Sequence, residues 1–216
     1  MPLSEEEFEK RRLSMVERQI EARGVKDPDV LRAMRKVPRH RFIPERLAGE
    51  AYDDNPLPIG RDQTISQPYI VALMTELLDL EPGDKVLEVG TGSGYQAAVL
   101  AEVGARVFSI EIIPELAERA LANLLAEGYD SVRVRAGDGY GGWPEEAPFR
   151  GIIVTAAPDH VPQPLLDQLD EGGRMVIPVG DVHQDLVVLT KENGEIRRRT
   201  TIPVRFVPMT GEADRR

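Results

Sequence analysis

Residues 86–94 read VLEVGTGSG, and a helical stretch follows at 95–103. A short apolar strand that stops at glycines and restarts as a helix leaves backbone N–H groups free to face a ligand. Glycine is required there because a Cβ would collide with that ligand or forbid a positive φ. Such a turn belongs to an open α/β sheet, in which each parallel strand is followed by a helix packed back onto it.

The surrounding pattern agrees. Strands are expected at 85–89, 106–110, 132–135, 151–155 and 174–177, with helices at 95–103, 114–126 and near 163–169. Short buried strands alternating with helices predict an α/β fold with a doubly wound, mostly parallel sheet. Two last strands, 185–190 and 202–207, flank Glu192-Asn193-Gly194-Glu195, a hairpin signal that predicts an antiparallel edge strand. Upstream, helices are expected at 4–23 and 28–36, separated by Gly24 and by Asp27-Pro28, with another at 67–80. Pro38, Pro44, Pro56, Pro58 and Gly60 mark 38–62 as irregular. The chain therefore divides into an N-terminal helical extension with its connecting segment, 1–62, and an α/β domain, 63–216, within one structural unit.

Composition removes several chemistries. The absence of cysteine excludes disulfides, thiolate metal sites and a Cys nucleophile. Lys and Arg number 27 against 37 Asp and Glu, and a net charge of −10 argues against a nucleic-acid partner. The two basic clusters, Arg35 to Arg41 and Arg197 to Arg199, read as solvated surface. The N-terminus, MPLSEEEFEKRR, has no apolar core of a signal peptide, and no apolar run is long enough to span a bilayer. A cytoplasmic protein with no membrane partner is expected.

The glycine turn alone leaves the ligand open, since Gly92 to Ala97 also satisfies the dinucleotide pattern G-x-G-x-x-A. Glu88, two residues before Gly90, would repel a pyrophosphate and attract the ammonium of a methionyl ligand. Glu111 closes the next strand, where a carboxylate can accept from both ribose hydroxyls. Asp138, within Ala136-Gly137-Asp138-Gly139, could accept from an adenine amino group. The pattern resembles the class I, Rossmann-like methyltransferases. That resemblance implies S-adenosyl-L-methionine as donor, no metal, and a site built from Glu88, Gly90, Thr91, Gly92, Ser93, Gly94, Glu111, Asp138 and Gly139.

Donor motifs leave the acceptor undetermined, and a small-molecule or RNA methyltransferase would share residues 83–140. The segment GRDQTISQPYIVALMTELL at 60–78 is similar to the signature of the protein-L-isoaspartate (D-aspartate) O-methyltransferases. GDGYGGWPEEAPF at 137–149, IIVTAAP at 152–158, GGRMVIPVG at 172–180 and VRFVPMTG at 204–211 resemble further blocks of that family, in order. Departures are confined to Asp159-His160 and to Met209, where leucine is expected.

The resemblance implies methyl esterification of the free α-carboxylate of isoaspartyl residues in damaged proteins and peptides. The ester then closes to a succinimide without the enzyme. It also implies Ser66 as the catalytic residue orienting the carboxylate, and Ile65, Ser66, Thr155, Ala156, Ala157, Val207 and Pro208 as the peptide channel, with Val207-Pro208 pairing backbone to backbone. Ser66, just before Gln67-Pro68, equally suits an N-cap. A carboxylate with a reference pKa of about 3.5 needs no general base at pH 7, and His40, His160 and His183 read as loop or structural residues. Selectivity is expected without a basic residue steering the substrate, and the chain is expected to act as a monomer.

Overall fold

The computed structural model describes residues 3–215. Ser4 opens helix α1 (Glu5–Met15) with a capping box: its hydroxyl accepts from the N–H of Glu7, whose carboxylate returns to the N–H of Ser4. The helix expected over 4–23 is three pieces, because α1 widens into a π-turn at Val16–Ile20 and tightens into a 3₁₀ turn at Glu21–Arg23 before Gly24. Asp27 caps α2 (Pro28–Lys36) through the N–H groups of Asp29 and Val30.

The stretch 38–62 is less irregular than its prolines suggest. It holds 3₁₀ turns at Arg39–Phe42 and Glu45–Glu50, and then strand β1 (Leu57–Gly60), which pairs antiparallel with β2 (Gln63–Ile65). This hairpin crosses the division drawn at residue 62 and runs directly into α3 (Pro68–Leu78).

Alternation then follows the expected pattern. The elements are β3 (Lys85–Val89), α4 (Tyr95–Glu102), β4 (Arg106–Glu111), α5 (Pro114–Ala126), β5 (Arg133–Ala136), β6 (Phe149–Val154), α6 (Gln163–Asp167) and β7 (Leu169–Val179). β8 (Gln184–Glu192) and β9 (Glu195–Val204) complete a seven-stranded sheet of order β5-β4-β3-β6-β7-β8-β9. Strands β5 to β7 are parallel, and β8 runs against both its neighbours. Asn193 and Gly194, at φ 54° and 77°, make the tight turn between β8 and β9.

The last strand is not 202–207. β9 pairs with β8 from Glu195 to Val204, after which Gln184 detaches the chain: its side chain accepts from the N–H of Phe206 at 2.6 Å and donates to that residue's carbonyl at 3.2 Å. Residues 207–209 then lie beside Ala157, which donates to the Val207 carbonyl and accepts from the N–H of Met209, both at 2.8 Å.

Successive strand residues face opposite sides of the sheet and feed two cores. Val86, Ile153 and Val188 pack with Met15, Ile20, Met34 and Leu100, so the N-terminal helices share one core with the sheet. Leu87, Phe108, Ile152 and Leu189 pack on the other face with Tyr140, Trp143 and Leu165. Arg197, Arg198 and Arg199 are exposed along β9. Among the described residues no helix is long and apolar enough to cross a membrane.

Candidate active site

At the C-terminal end of β3 the chain turns at Gly90, with φ at +97°. Its N–H donates to the Ile110 carbonyl at 2.8 Å, and its own carbonyl accepts from the Thr155 hydroxyl at 2.6 Å. A Cβ on Gly90 would land on that hydroxyl, so this position takes no side chain. Glu111 ends β4 beside it. Its two carboxylate oxygens accept from the N–H groups of Gly92 (2.8 Å) and Ile113 (3.0 Å). These residues, with Ile112, Gly139 and Ala156, line a cleft over the strand ends, where an open α/β sheet binds its ligand.

Glu88 does not line the cleft. Alternation along β3 turns Val89 toward the ligand side and Glu88 to the opposite face, where it is fully buried. Ser109 donates to one of its oxygens at 2.5 Å and shares a 2.6 Å hydrogen bond with the Thr91 hydroxyl. Burial pushes the Glu88 carboxyl up to about 8; the Ser109 bond opposes that shift and the charge of Glu111 adds to it. Its other oxygen, Oε1, has no partner among the described residues.

The remaining donor-site residues support the cleft from outside its lining. Asp138 accepts from the N–H groups of Tyr140 (2.9 Å) and Glu212 (2.8 Å), tying two 3₁₀ turns together, while its neighbour Gly139 reaches the cleft. The Ser93 hydroxyl accepts from the N–H of Tyr95. A Cβ on Gly94 would press on the Ala120 carbonyl and on Leu124, so this glycine serves the packing of α4 on α5. Gly90, Gly92, Glu111 and Gly139 therefore line the cleft, while Glu88, Thr91, Ser93, Gly94 and Asp138 lie behind it.

A second cavity, about 760 Å³, adjoins the cleft. Thr64, Thr155 and Val207 line both, and Ser66, Tyr69 and Phe206 line only the larger one. Ile65 does not line this cavity: alternation past β2 points it into the core while Thr64 and Ser66 face the cavity. Ala156 and Pro208 line the donor cleft, whereas Ala157 is buried and holds the backbone at 207–209.

Ser66 is not a helix cap. Gln67 occupies the N-cap of α3 without a side-chain bond, and the N–H of Tyr69 is met instead by Asp54 at 2.9 Å. Among the described residues the Ser66 hydroxyl has no partner, while its carbonyl accepts from Arg39 at 2.7 Å. Arg39, read as solvated surface, is completely buried; its guanidinium also donates to the carbonyls of Ala51 (2.7 Å) and Asn55 (3.1 Å). Nor is the cavity free of basic residues. Arg23 and Arg205 both line it, Arg23 stacked 3.5 Å over the Tyr69 ring and paired with Asp54. None of the three histidines lines either cavity: His40 is stacked on Phe8, and His160 sits between Tyr140 (2.8 Å) and Asp159 (2.5 Å).

Sequence reasoning missed Arg39, Asp54, Thr64 and Ser109. Asp53-Asp54-Asn55 signals a turn and Thr64 lies within the 60–78 segment, whereas Arg39 and Ser109 carry no local signal of their role.

Comparison with known proteins agrees with this geometry. Residues 10–214 match the family model described as protein-L-isoaspartate(D-aspartate) O-methyltransferase. The protein-L-isoaspartate O-methyltransferase of Gloeobacter violaceus is 59% identical over 200 residues, covering 92% of this chain and 98% of that one. A solved protein-L-isoaspartate O-methyltransferase superposes with a TM-score of 0.84 at 30% identity, over 95% of this chain and 67% of its own. A Plasmodium falciparum structure, described as a beta-aspartate methyltransferase in complex with S-adenosyl-L-homocysteine, gives 0.80 at 28% identity, over 92% and 98%. A bare glycine turn and a carboxylate at the end of β4 fit the donor that such a product implies, and the chain belongs to the protein-L-isoaspartate(D-aspartate) O-methyltransferase family.

Proposed function

We propose that this chain transfers a methyl group from S-adenosyl-L-methionine to the free α-carboxylate of L-isoaspartyl residues in proteins and peptides. The supporting observation is the junction: the donor cleft and the larger cavity share Thr64, Thr155 and Val207, so an acceptor in one meets a donor in the other.

The bound donor supplies an electrophilic methyl on a sulfonium. Gly90, Gly92 and Gly139, which line the cleft, would let it approach the backbone closely, and the Glu111 carboxylate would accept from its ribose hydroxyls. The acceptor carboxylate is already ionised at pH 7 and needs no base. The Ser66 hydroxyl, which has no internal partner among the described residues, donates to one carboxylate oxygen and directs the other at the methyl. Positioning of this kind can supply about 7–11 kcal/mol. Ala157 already takes the Val207 carbonyl and the Met209 N–H. Strand alternation then turns the Pro208 carbonyl outward, where it accepts from a peptide N–H.

Isoaspartyl and aspartyl sites carry carboxylates of equal charge and differ only in where the methylene lies. A grip on the backbone places one in line and the other about 1 Å off, worth about a hundredfold in rate. Partners in this scheme are isoaspartyl-containing proteins and peptides in the cytoplasm, with the chain acting as a monomer. The test is labelled methyl transfer to matched isoaspartyl and aspartyl peptides. At least hundredfold selectivity is expected. Equal labelling would overturn the proposal and make a small molecule or RNA the leading acceptor.

A further inference from the structure

The chain carries ten more acidic than basic side chains, yet the residues lining the acceptor cavity include Arg23 and Arg205 and no Asp or Glu. The two arginines differ. Arg23 is committed, paired with Asp54 and stacked on Tyr69. Arg205 is exposed, and among the described residues no carboxylate pairs with it. Its backbone is nonetheless anchored on both sides. Val204 ends the β8–β9 pairing, Gln184 grips Phe206 at both N–H and C=O, and the Val207 carbonyl is held by Ala157. An arginine on an anchored backbone presents its planar fork from a fixed base at the cavity rim, a geometry suited to a carboxylate.

Resting on the acceptor assignment above, we propose that Arg205 is a specificity-determining residue that favours isoaspartyl sites with an aspartate or glutamate side chain close by in the sequence. In the proposed scheme the carboxylate that accepts the methyl is held by Ser66 beside the shared residues Thr64, Thr155 and Val207, so Arg205 is left for a second, flanking carboxylate. The net negative charge of the chain repels such substrates, and Arg205 also borders a neighbouring cavity lined by Asp159, Asp181 and Asp214, so its attraction acts on the acceptor side alone.

The experiment uses isoaspartyl peptides of one length whose neighbouring positions carry Glu, Ala or Lys. kcat/KM is measured for the wild type, Arg205→Ala, Arg205→Glu and Arg23→Ala, at low and high salt. Turnover of the Ala-flanked peptide by each variant shows that it is folded. The wild type should prefer Glu over Lys flanks by about two- to fivefold, the size of one exposed ion pair, and the preference should shrink with salt. Arg205→Ala should abolish the preference and Arg205→Glu should reverse it. A preference unchanged in Arg205→Glu, absent from the wild type, or removed only by Arg23→Ala overturns the assignment to Arg205 while leaving the isoaspartyl acceptor standing. Failure of the wild type to methylate any of the isoaspartyl peptides overturns both.

Discussion

The guanidinium of Arg39 donates to the carbonyl of Ser66 at 2.7 Å, bridging 27 residues of chain. Its other bonds reach Ala51 and Asn55, so one buried side chain holds the loop leading into the β1–β2 hairpin and the residue after it. Burial lowers its pKa to about 10, which leaves it charged at pH 7. Replacing Arg39 with Met would leave one buried and two part-buried carbonyls without this donor, at a cost of about 3 kcal/mol. Arg39→Lys, a point charge without the fork, should recover only part of that loss. Urea unfolding midpoints check both.

Asp54, not Ser66, meets the N–H of Tyr69 at the start of α3, which leaves the Ser66 hydroxyl for the role proposed above. Ser66→Ala should leave stability within about 0.5 kcal/mol of wild type, as for a surface change, and lower kcat by at least about tenfold. Asp54→Ala should cost about 1 kcal/mol of stability through the lost contact at the N-terminus of α3. A Ser66→Ala protein with full turnover would remove Ser66 from the chemistry.

Glu111 faces inward as well as toward the ligand, since its oxygens accept from Gly92 and Ile113. Glu111→Ala should weaken donor binding by about 2–4 kcal/mol as charged hydrogen bonds are lost. It should also lower stability measurably, because two backbone N–H groups lose their acceptor. Titration calorimetry and thermal melts read the two effects separately, and wild-type donor affinity would refute the ribose assignment.

Burial of the Glu88 carboxyl predicts a pH dependence of stability in the donor-free protein. Its folded pKa, about 8, lies above the unfolded value near 4.5. Below about pH 4.5 both states hold the proton; between there and about 8 only the native state does, so stability falls as pH rises. Glu88→Gln removes this contribution. Its unfolding midpoint should therefore gain on wild type steadily from pH 5 to pH 8, and parallel curves would show that Glu88 is ionised in the native state.

The legible parts of the fold and site were those set by local pattern. Strand and helix alternation, the glycine turn and the Asn193-Gly194 hairpin all follow from period and turn chemistry within a few residues. The illegible parts depend on partners far along the chain. Arg39 sits in a basic run indistinguishable from a solvated face, and only the carbonyls of residues 51, 55 and 66 make its burial tolerable. Pro56, Pro58 and Gly60 hid a strand that needs only its pairing with 63–65. Glu88 was found by spacing, but its direction depends on which face of β3 meets the ligand. Strand β9 ended early because one glutamine, 22 residues back, captures Phe206.

Thr155 bonds the Gly90 carbonyl and borders both cavities. In the proposed scheme Thr155, with Thr64 and Val207, is the wall between donor and acceptor, so a shift of Thr155 that tightens one cavity reshapes the other. Thermodynamic reciprocity then requires that the factor by which donor raises acceptor affinity equal the factor by which acceptor raises donor affinity. A substitution at 155 is therefore expected to change the cooperativity between the two substrates as well as the affinity for each.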